Sequence, residues 1–125
     1  MVEITVNPSN TPMWLYHNPR CSKSRAALAL LAERGLQPDV VLYLERGLTS
    51  AELHELQQKT GAASLRELMR SGEDEYKTLG LATADESALA AALVAHPRLL
   101  ERPLLVVGER ARIGRPPENL LELLP

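Results

Sequence analysis

The sequence predicts an α/β fold built on a four-strand mixed sheet, with a helical insertion after the second strand. The first observation is the order strand, helix, strand over residues 13–16, 22–34 and 39–43. Strands joined by a crossover helix run parallel. The second observation is a short apolar run, 104–107, followed after a tight connection by a short partner strand, 111–113. Such a connection predicts an antiparallel hairpin.

The remaining elements follow from helix start and stop signals. Gly35 is a good C-terminal stop for the first helix. Proline after His96 ends a later helix, because the residue before proline is pushed out of the α region. Proline is tolerated in the first turn of a final helix over 119–124. The acidic run 73–75 is interpreted as a solvated loop. Three capping boxes predict helix starts in the middle of the chain: Thr49 with Glu52, Ser64 with Glu67, and Thr83 with Glu86.

Length and composition indicate one domain over residues 13–125, preceded by a turn-rich N-terminal extension over residues 1–12. An apolar fraction of 45% is enough for a single core. No window of 18 apolar residues predicts a membrane helix, and the N-terminus lacks the pattern of a signal peptide. We therefore expect a soluble, cytoplasmic protein that does not bind membranes.

Charge distribution points to a small anionic ligand. The net charge is −2, so the broad basic excess of a nucleic-acid-binding protein is missing, and we expect no nucleic-acid partner. Residues 98–117 nevertheless contain five arginines and two glutamates. Arginine is suited to bidentate binding of oxyanions.

Cys21 is the only cysteine and lies at the predicted turn from the first strand to the first helix. Helix N-termini offer unpaired N–H groups and positive dipole potential. With Arg20, Lys23 and Arg25 nearby, we expect a pKa lowered into the range of about 3.5–7.5. A single cysteine excludes an internal disulfide, and no histidines share metal-ligand spacing, so we expect no metal. If Cys21 is oxidised during turnover, the resolving thiol must come from another molecule. A reactive cysteine at the end of the first strand is typical of the thioredoxin-like, three-layer layout.

The cysteine segment, residues 16–25, reads Tyr-His-Asn-Pro-Arg-Cys-Ser-Lys-Ser-Arg. It resembles the active-site segment of ArsC-type, glutaredoxin-dependent arsenate reductases. Further matches occur in the family's order at residues 42–45, 65–70, 76–81, 96–103 and 112–118.

The resemblance implies a role for each matching residue. Cys21 matches the nucleophile that attacks arsenate, and Arg70, Arg102 and Arg115 match the arginines that hold the oxyanion. His17 and Ser24 match residues near the thiolate, and Pro103 matches the cis proline of thioredoxin-like folds. The implied protein is a monomer without a bound cofactor, and it uses glutathione as reductant and glutaredoxin as partner. For His17, the residues alone leave a structural and a catalytic role open.

Two other functions remain as alternatives. An Spx-like transcriptional regulator shares this fold family and binds RNA polymerase, but such regulators usually carry a CxxC switch, and Ser24 stands at the second cysteine position. A thiol transferase that acts on glutathione mixed disulfides would need a glutathione site but no three convergent arginines.

Overall fold

The structure, a computed structural model, describes residues 12–124. Within this range the chain forms two compact units, residues 12–41 with 102–124, and residues 42–101. We call the first the sheet unit and the second the helical unit. The predicted N-terminal extension lies, apart from Pro12, outside the described residues, and one domain over residues 13–125 stays a prediction.

The sheet unit holds four strands in the order β2-β1-β3-β4. They are β1 (Met13–Tyr16), β2 (Asp39–Val41), β3 (Leu104–Val107) and β4 (Arg110–Ile113). β1 pairs parallel with β2 and antiparallel with β3, and β3 pairs antiparallel with β4. The mixed sheet and the hairpin are therefore confirmed. β2 is two residues shorter than predicted, because Leu42 leaves the extended conformation (ψ 74°) and Tyr43 begins a helix.

Helix α1 (Ser22–Glu33) packs its apolar face on β1. It ends in a Schellman motif, in which the Gly35 N–H donates to the Ala32 carbonyl and the Leu36 N–H donates to the Leu31 carbonyl. Gly35 has φ 74°, a conformation that favours glycine. The final helix is a 3₁₀ helix over Pro117–Leu123. One cluster of buried core residues in this unit consists of Met13, Leu15, Ala27, Leu31, Leu36, Leu105, Leu120 and Leu123.

The helical unit contains α2 (Tyr43–Arg46), α3 (Ser50–Thr60), α4 (Asp74–Thr78) and α5 (Glu86–Ala95). Three 3₁₀ helices lie between or after them, over Leu65–Leu68, Leu81–Thr83 and Pro97–Leu99. None of the helices within residues 12–124 has the length and apolar character needed to cross a lipid bilayer.

Of the three predicted capping boxes, only the one at Thr49 is confirmed, with both reciprocal hydrogen bonds formed. The prediction at Thr83 is wrong, because Asp85 is the N-cap of α5 and accepts from the Ala88 N–H at 2.8 Å. At Ser64 the predicted helix start is confirmed, because Ser64 is the N-cap of the 3₁₀ helix Leu65–Leu68, but its hydroxyl accepts from the Arg66 N–H at 3.1 Å and not from the Glu67 N–H. The Glu67 carboxylate accepts from the Ala63 N–H, one residue before the expected donor.

Glu86 makes contacts that no local pattern contains. Its carboxylate accepts from the Ser64 hydroxyl and, at 2.9 Å, from the Leu65 N–H. These hydrogen bonds lower the pKa of Glu86. A residue at the start of α5 thus satisfies a donor at the start of the 3₁₀ helix Leu65–Leu68, more than 20 positions earlier.

The acidic run 73–75 is not the solvated loop that the sequence predicts. Glu73 is the N-cap of α4, and Asp74 and Glu75 form its first turn. Carboxylates at a helix N-terminus interact favourably with the helix dipole. Both glutamates also form ion pairs, since Arg98 Nη2 lies 3.3 Å from Glu73 and 3.1 Å from Glu75.

Candidate active site

The segment between β1 and α1 forms a tight, hydrogen-bonded loop. The His17 N–H donates to the Val41 carbonyl at 3.0 Å, which continues the β1–β2 ladder by one residue. The Asn18 side-chain oxygen then accepts from the Arg20 N–H, and the Asn18 carbonyl accepts from the Cys21 N–H, both at 3.0 Å. Arg25 closes the loop from the helix side, because Nη1 donates to the Pro19 carbonyl at 2.9 Å. Cys21 is therefore held at a defined position at the start of α1.

Cys21 is the N-cap residue of α1 and has extended backbone angles (φ −96°, ψ 123°). Its thiol is partly exposed. Burial is the largest single influence and would by itself raise the pKa of Cys21, but the N–H groups of Ser24 and Lys23 and the Arg102 guanidinium act in the opposite direction. Together they lower the pKa of Cys21 below its ordinary value. The predicted lowering of the pKa thus agrees with the geometry. The side-chain cation that contributes is Arg102, whereas the sequence pointed to Arg20, Lys23 and Arg25.

His17 and Ser24 form a buried polar pair behind the loop. Ser24 is fully buried and His17 is 5% exposed. The Ser24 hydroxyl lies 2.6 Å from His17 Nδ1 and accepts from the Asn18 N–H at 3.0 Å. Burial lowers the pKa of His17, and the nearby Arg25 charge lowers it further. His17 is therefore neutral at pH 7, and its contacts support the loop.

Replacing Ser24 with alanine is expected to destabilise the sheet unit and to loosen the loop. The substitution leaves the Asn18 N–H and the buried His17 Nδ1 without their common partner, at a cost of about 1–3 kcal/mol. Urea unfolding measures the stability, and the rate of Cys21 alkylation by iodoacetamide reports on the loop. Ser22→Ala is the matched control, because Ser22 is exposed in the same helical turn. Equal stability of the two variants would contradict the structural role of the Ser24 hydroxyl.

Three other predicted site residues also lie in the sheet unit. The Arg102–Pro103 peptide bond is cis, in agreement with the sequence-based prediction for Pro103. Arg115 Nη1 donates to the Arg102 carbonyl at 3.1 Å. The Asn119 side-chain amide donates to the Arg115 carbonyl at 3.1 Å. The Arg115 side chain is thus bonded to the backbone of Arg102, and the Arg102 guanidinium is within hydrogen-bonding reach of the Cys21 sulfur.

Gly114 supports this arrangement at a position where a side chain does not fit. Its N–H donates to the Pro103 carbonyl at 2.8 Å. A Cβ atom on Gly114 would lie 2.9 Å from Leu120 Cγ and 3.1 Å from Pro103 Cγ. Leu120 is fully buried, so it has little room to move away. The absent side chain lets the segment after β4 pack closely on the residue that follows Arg102.

We expect Gly114→Ala to destabilise the protein by about 1–3 kcal/mol, because an overpacked core forces side chains and backbone to shift. The alkylation rate of Cys21 should fall as well, since the shift moves Pro103 and with it Arg102. Gly72→Ala is the control, because a Cβ atom there would meet no heavy atom within 4 Å. A Gly114→Ala protein that unfolds at the same urea concentration as Gly72→Ala would show that the close approach is not needed.

Arg70 lies in the helical unit, at the end of the 3₁₀ helix Leu65–Leu68. Its N–H donates to the Leu99 carbonyl at 2.8 Å, which fixes the backbone. Arg70 Nη2 forms an ion pair with Glu73 at 3.1 Å. The family resemblance of the sequence did not indicate the ion pair between Arg70 and Glu73. A role for Arg70 in binding an oxyanion stays a prediction.

With this geometry established, comparison with known proteins gives the family. The model of the ArsC family matches residues 16–123. The chain belongs to the ArsC family. An uncharacterized protein, YfgD, of Escherichia coli strain K12 is 54% identical over 88% of this chain and 94% of its own length. An arsenate reductase of Neisseria meningitidis serogroup A is 48% identical over 88% of this chain and 96% of its own length.

A solved structure agrees with the ArsC assignment. The arsenate reductase from Vibrio cholerae has a TM-score of 0.88 and 46% sequence identity, and the match covers 91% of this chain and 98% of that chain. The predicted fold class is therefore confirmed as α/β and thioredoxin-like, with a mixed four-strand sheet and a helical insertion after the second strand.

Two residues of this ArsC-family site were not singled out from the sequence. Asn18 bonds to the backbone of Arg20 and Cys21 and so shapes the loop, and Gly114 makes room for Pro103. A signal for Asn18 was present, because asparagine before proline favours turns through its own side chain. No local sequence pattern identifies Gly114, because the need for glycine there depends on where Leu120 packs in the folded chain.

Proposed function

We propose that this chain is an arsenate reductase, in which the Cys21 thiolate attacks arsenate and glutathione with glutaredoxin completes the reduction. The observation that carries the proposal is the partly exposed Cys21 with a lowered pKa, placed beside backbone N–H groups and Arg102. A thiolate and an anion-binding group at one position suit a reaction between a nucleophile and an oxyanion. Relatives named arsenate reductase, at 44–48% identity, support the choice of arsenate.

The first step requires that two negative charges approach each other. The thiolate sulfur attacks arsenic, and one arsenate oxygen takes up protons and leaves as water, which gives a thiol–arsenate adduct. Like-charge repulsion opposes this attack. The cationic Arg102 and the N–H groups at the start of α1 offset the repulsion and stabilise the charge that grows on the arsenate oxygens.

Arg102 and Arg115 are the oxyanion ligands that we propose from the sheet unit. Guanidinium groups bind tetrahedral oxyanions through paired N–H donors, which also orient the oxyanion for attack. The contact between Arg115 and the Arg102 carbonyl limits how far the two residues can separate. Arg70 is the third proposed ligand, on the basis of the family resemblance.

Resolution of the adduct uses thiols from other molecules. The glutathione thiol displaces a second arsenate oxygen as water and forms a sulfur–arsenic bond. A glutaredoxin thiolate then attacks the glutathione sulfur, and the electron pair of that sulfur–arsenic bond stays on arsenic, which changes from pentavalent to trivalent. Water releases arsenite and regenerates Cys21. Since Cys21 is the only cysteine, the chain itself cannot supply a resolving thiol. We propose that the reaction takes place in a reducing cytoplasm and that the enzyme acts as a monomer.

A coupled assay tests the proposal. It contains arsenate, glutathione, glutaredoxin and glutathione reductase, and it measures NADPH consumption. We expect turnover with arsenate and none with phosphate, which has the same shape and charge but is not reduced by thiols. No arsenate-dependent turnover, while Cys21 still reacts rapidly with iodoacetamide, would contradict the proposed substrate. Turnover with a glutathione mixed disulfide in place of arsenate would instead support a thiol transferase.

A further inference from the structure

Two exposed cations flank Cys21 and have no role in the arrangement described so far. Arg20 precedes Cys21 and Lys23 follows it by two residues, and both side chains are exposed. Among the ion pairs between residues 12–124, none involves Arg20 or Lys23. The chain has no aspartate or glutamate between Tyr16 and Glu33. We call Arg20 and Lys23 the basic pair.

The basic pair does not account for the reactivity of the thiol. The groups that lower the pKa of Cys21 are the N–H groups of Ser24 and Lys23 and the Arg102 guanidinium. The side-chain charges of Arg20 and Lys23 are not among them. The reactive thiolate can therefore form without the basic pair.

Helix stability does not explain the basic pair either. The first turn of a helix favours acidic side chains, because its unpaired N–H groups and dipole carry positive potential. The first turn of α1 has no acidic residue and contains Lys23 instead. A residue that opposes the local stability rule often serves a binding function. Arg25, in contrast, is used within the loop, where it donates to the Pro19 carbonyl.

We propose that the basic pair binds the two carboxylates of glutathione and so positions its thiol at Cys21. Glutathione is a tripeptide with its thiol in the middle residue and a carboxylate near each end. Arg20 precedes Cys21 and Lys23 follows it, so one cation stands on each side of the cysteine in the sequence, as one carboxylate stands on each side of the thiol in glutathione. The inference deepens the proposed function, and it rests on that function in taking glutathione as the resolving thiol.

Thiol–disulfide exchange tests this site without arsenate. The Cys21 thiolate attacks one sulfur of oxidised glutathione, the Cys21–sulfur bond forms, the glutathione disulfide breaks, and glutathione thiolate leaves with the electron pair. Mass spectrometry follows the mixed disulfide over time. The comparison probe is oxidised glutathione with its carboxylates converted to ethyl esters, which reacts through the same sulfur atoms.

We expect the wild-type protein to react about five-fold faster with the acid than with the ester at low ionic strength. The double variant Arg20→Gln, Lys23→Gln should lose this preference and keep its rate with the ester. The charge-matched control is Arg34→Gln, Lys77→Gln, which removes two exposed cations elsewhere and should keep the preference. Added salt should reduce the preference, since exposed charges are screened.

Two results would overturn the inference. One is a wild-type rate that is the same with the acid and the ester. The other is a double variant that slows equally with both probes, because the basic pair would then act on Cys21 itself. Absence of arsenate turnover in the coupled assay, with the acid preference intact, would overturn the proposed substrate and leave the glutathione site supported.

Discussion

Cys21→Ser is expected to abolish arsenate-dependent NADPH consumption in the coupled assay and to leave only background. A serine hydroxyl stays protonated at neutral pH, so the nucleophile is lost. The loss should therefore exceed 10³-fold, as for other removed nucleophiles.

The folded state of this variant should be at least as stable as the wild type, which makes the result easy to interpret. Cys21 occupies the N-cap position of α1, where serine is a preferred residue and cysteine is not. A serine oxygen there can accept from the N–H groups of the first turn, and we expect a gain of about 0.5–1 kcal/mol over Cys21→Ala. Urea unfolding of both variants checks this. Activity retained by the serine variant would exclude the proposed nucleophile.

Local patterns in the sequence predicted the sheet unit well, because its elements depend on short-range signals. β1 and α1 follow from an apolar run and a helical period that ends at Gly35, and β3 and β4 follow from a two-residue turn. The position of Cys21 at the start of α1 follows from the same signals. The oxyanion arginines could be named only through the family resemblance, since any single arginine resembles surface charge in the sequence.

The helical unit was predicted less well, because tertiary contacts replaced the local ones. The Ser64 hydroxyl and the Leu65 N–H are bonded by Glu86, a partner that no spacing rule contains. Arg70 and Glu73 form an ion pair across a turn, in which the Glu73 N–H donates to the Arg70 carbonyl at 3.2 Å, so helical spacing does not predict it. The interpretation of residues 73–75 as a solvated loop missed both this ion pair and the start of α4.

Arg102→Ala is the second substitution with a large expected effect, and it acts in two ways. Removal of the guanidinium raises the pKa of Cys21, because burial of the thiol is then opposed only by the N–H groups of Ser24 and Lys23. The pH profile of alkylation should therefore move to higher pH, with a smaller thiolate fraction at pH 7. Arsenate also loses a ligand that stabilises its charge in the transition state. Together we expect kcat/KM for arsenate to fall by about 10²–10³-fold.

The control for this substitution is Arg112→Ala, which removes an exposed arginine of β4 that pairs with Glu122 at 2.8 Å. Exposed ion pairs contribute about 0–1 kcal/mol, so both the activity and the alkylation profile of this variant should stay close to wild type. An Arg102→Ala protein that matches Arg112→Ala in both measurements would remove Arg102 from the site.

Arg102→Lys separates the two effects. Lysine keeps the positive charge, so the pKa of Cys21 should stay below its ordinary value and the alkylation profile should remain near wild type. Its single ammonium group cannot form the paired, planar hydrogen bonds that a guanidinium offers to an oxyanion. The KM for arsenate should therefore rise while the thiolate persists. If the lysine variant instead loses the low pKa of Cys21 as fully as Arg102→Ala does, the geometry of the Arg102 hydrogen bond to sulfur, and not its charge, stabilises the thiolate.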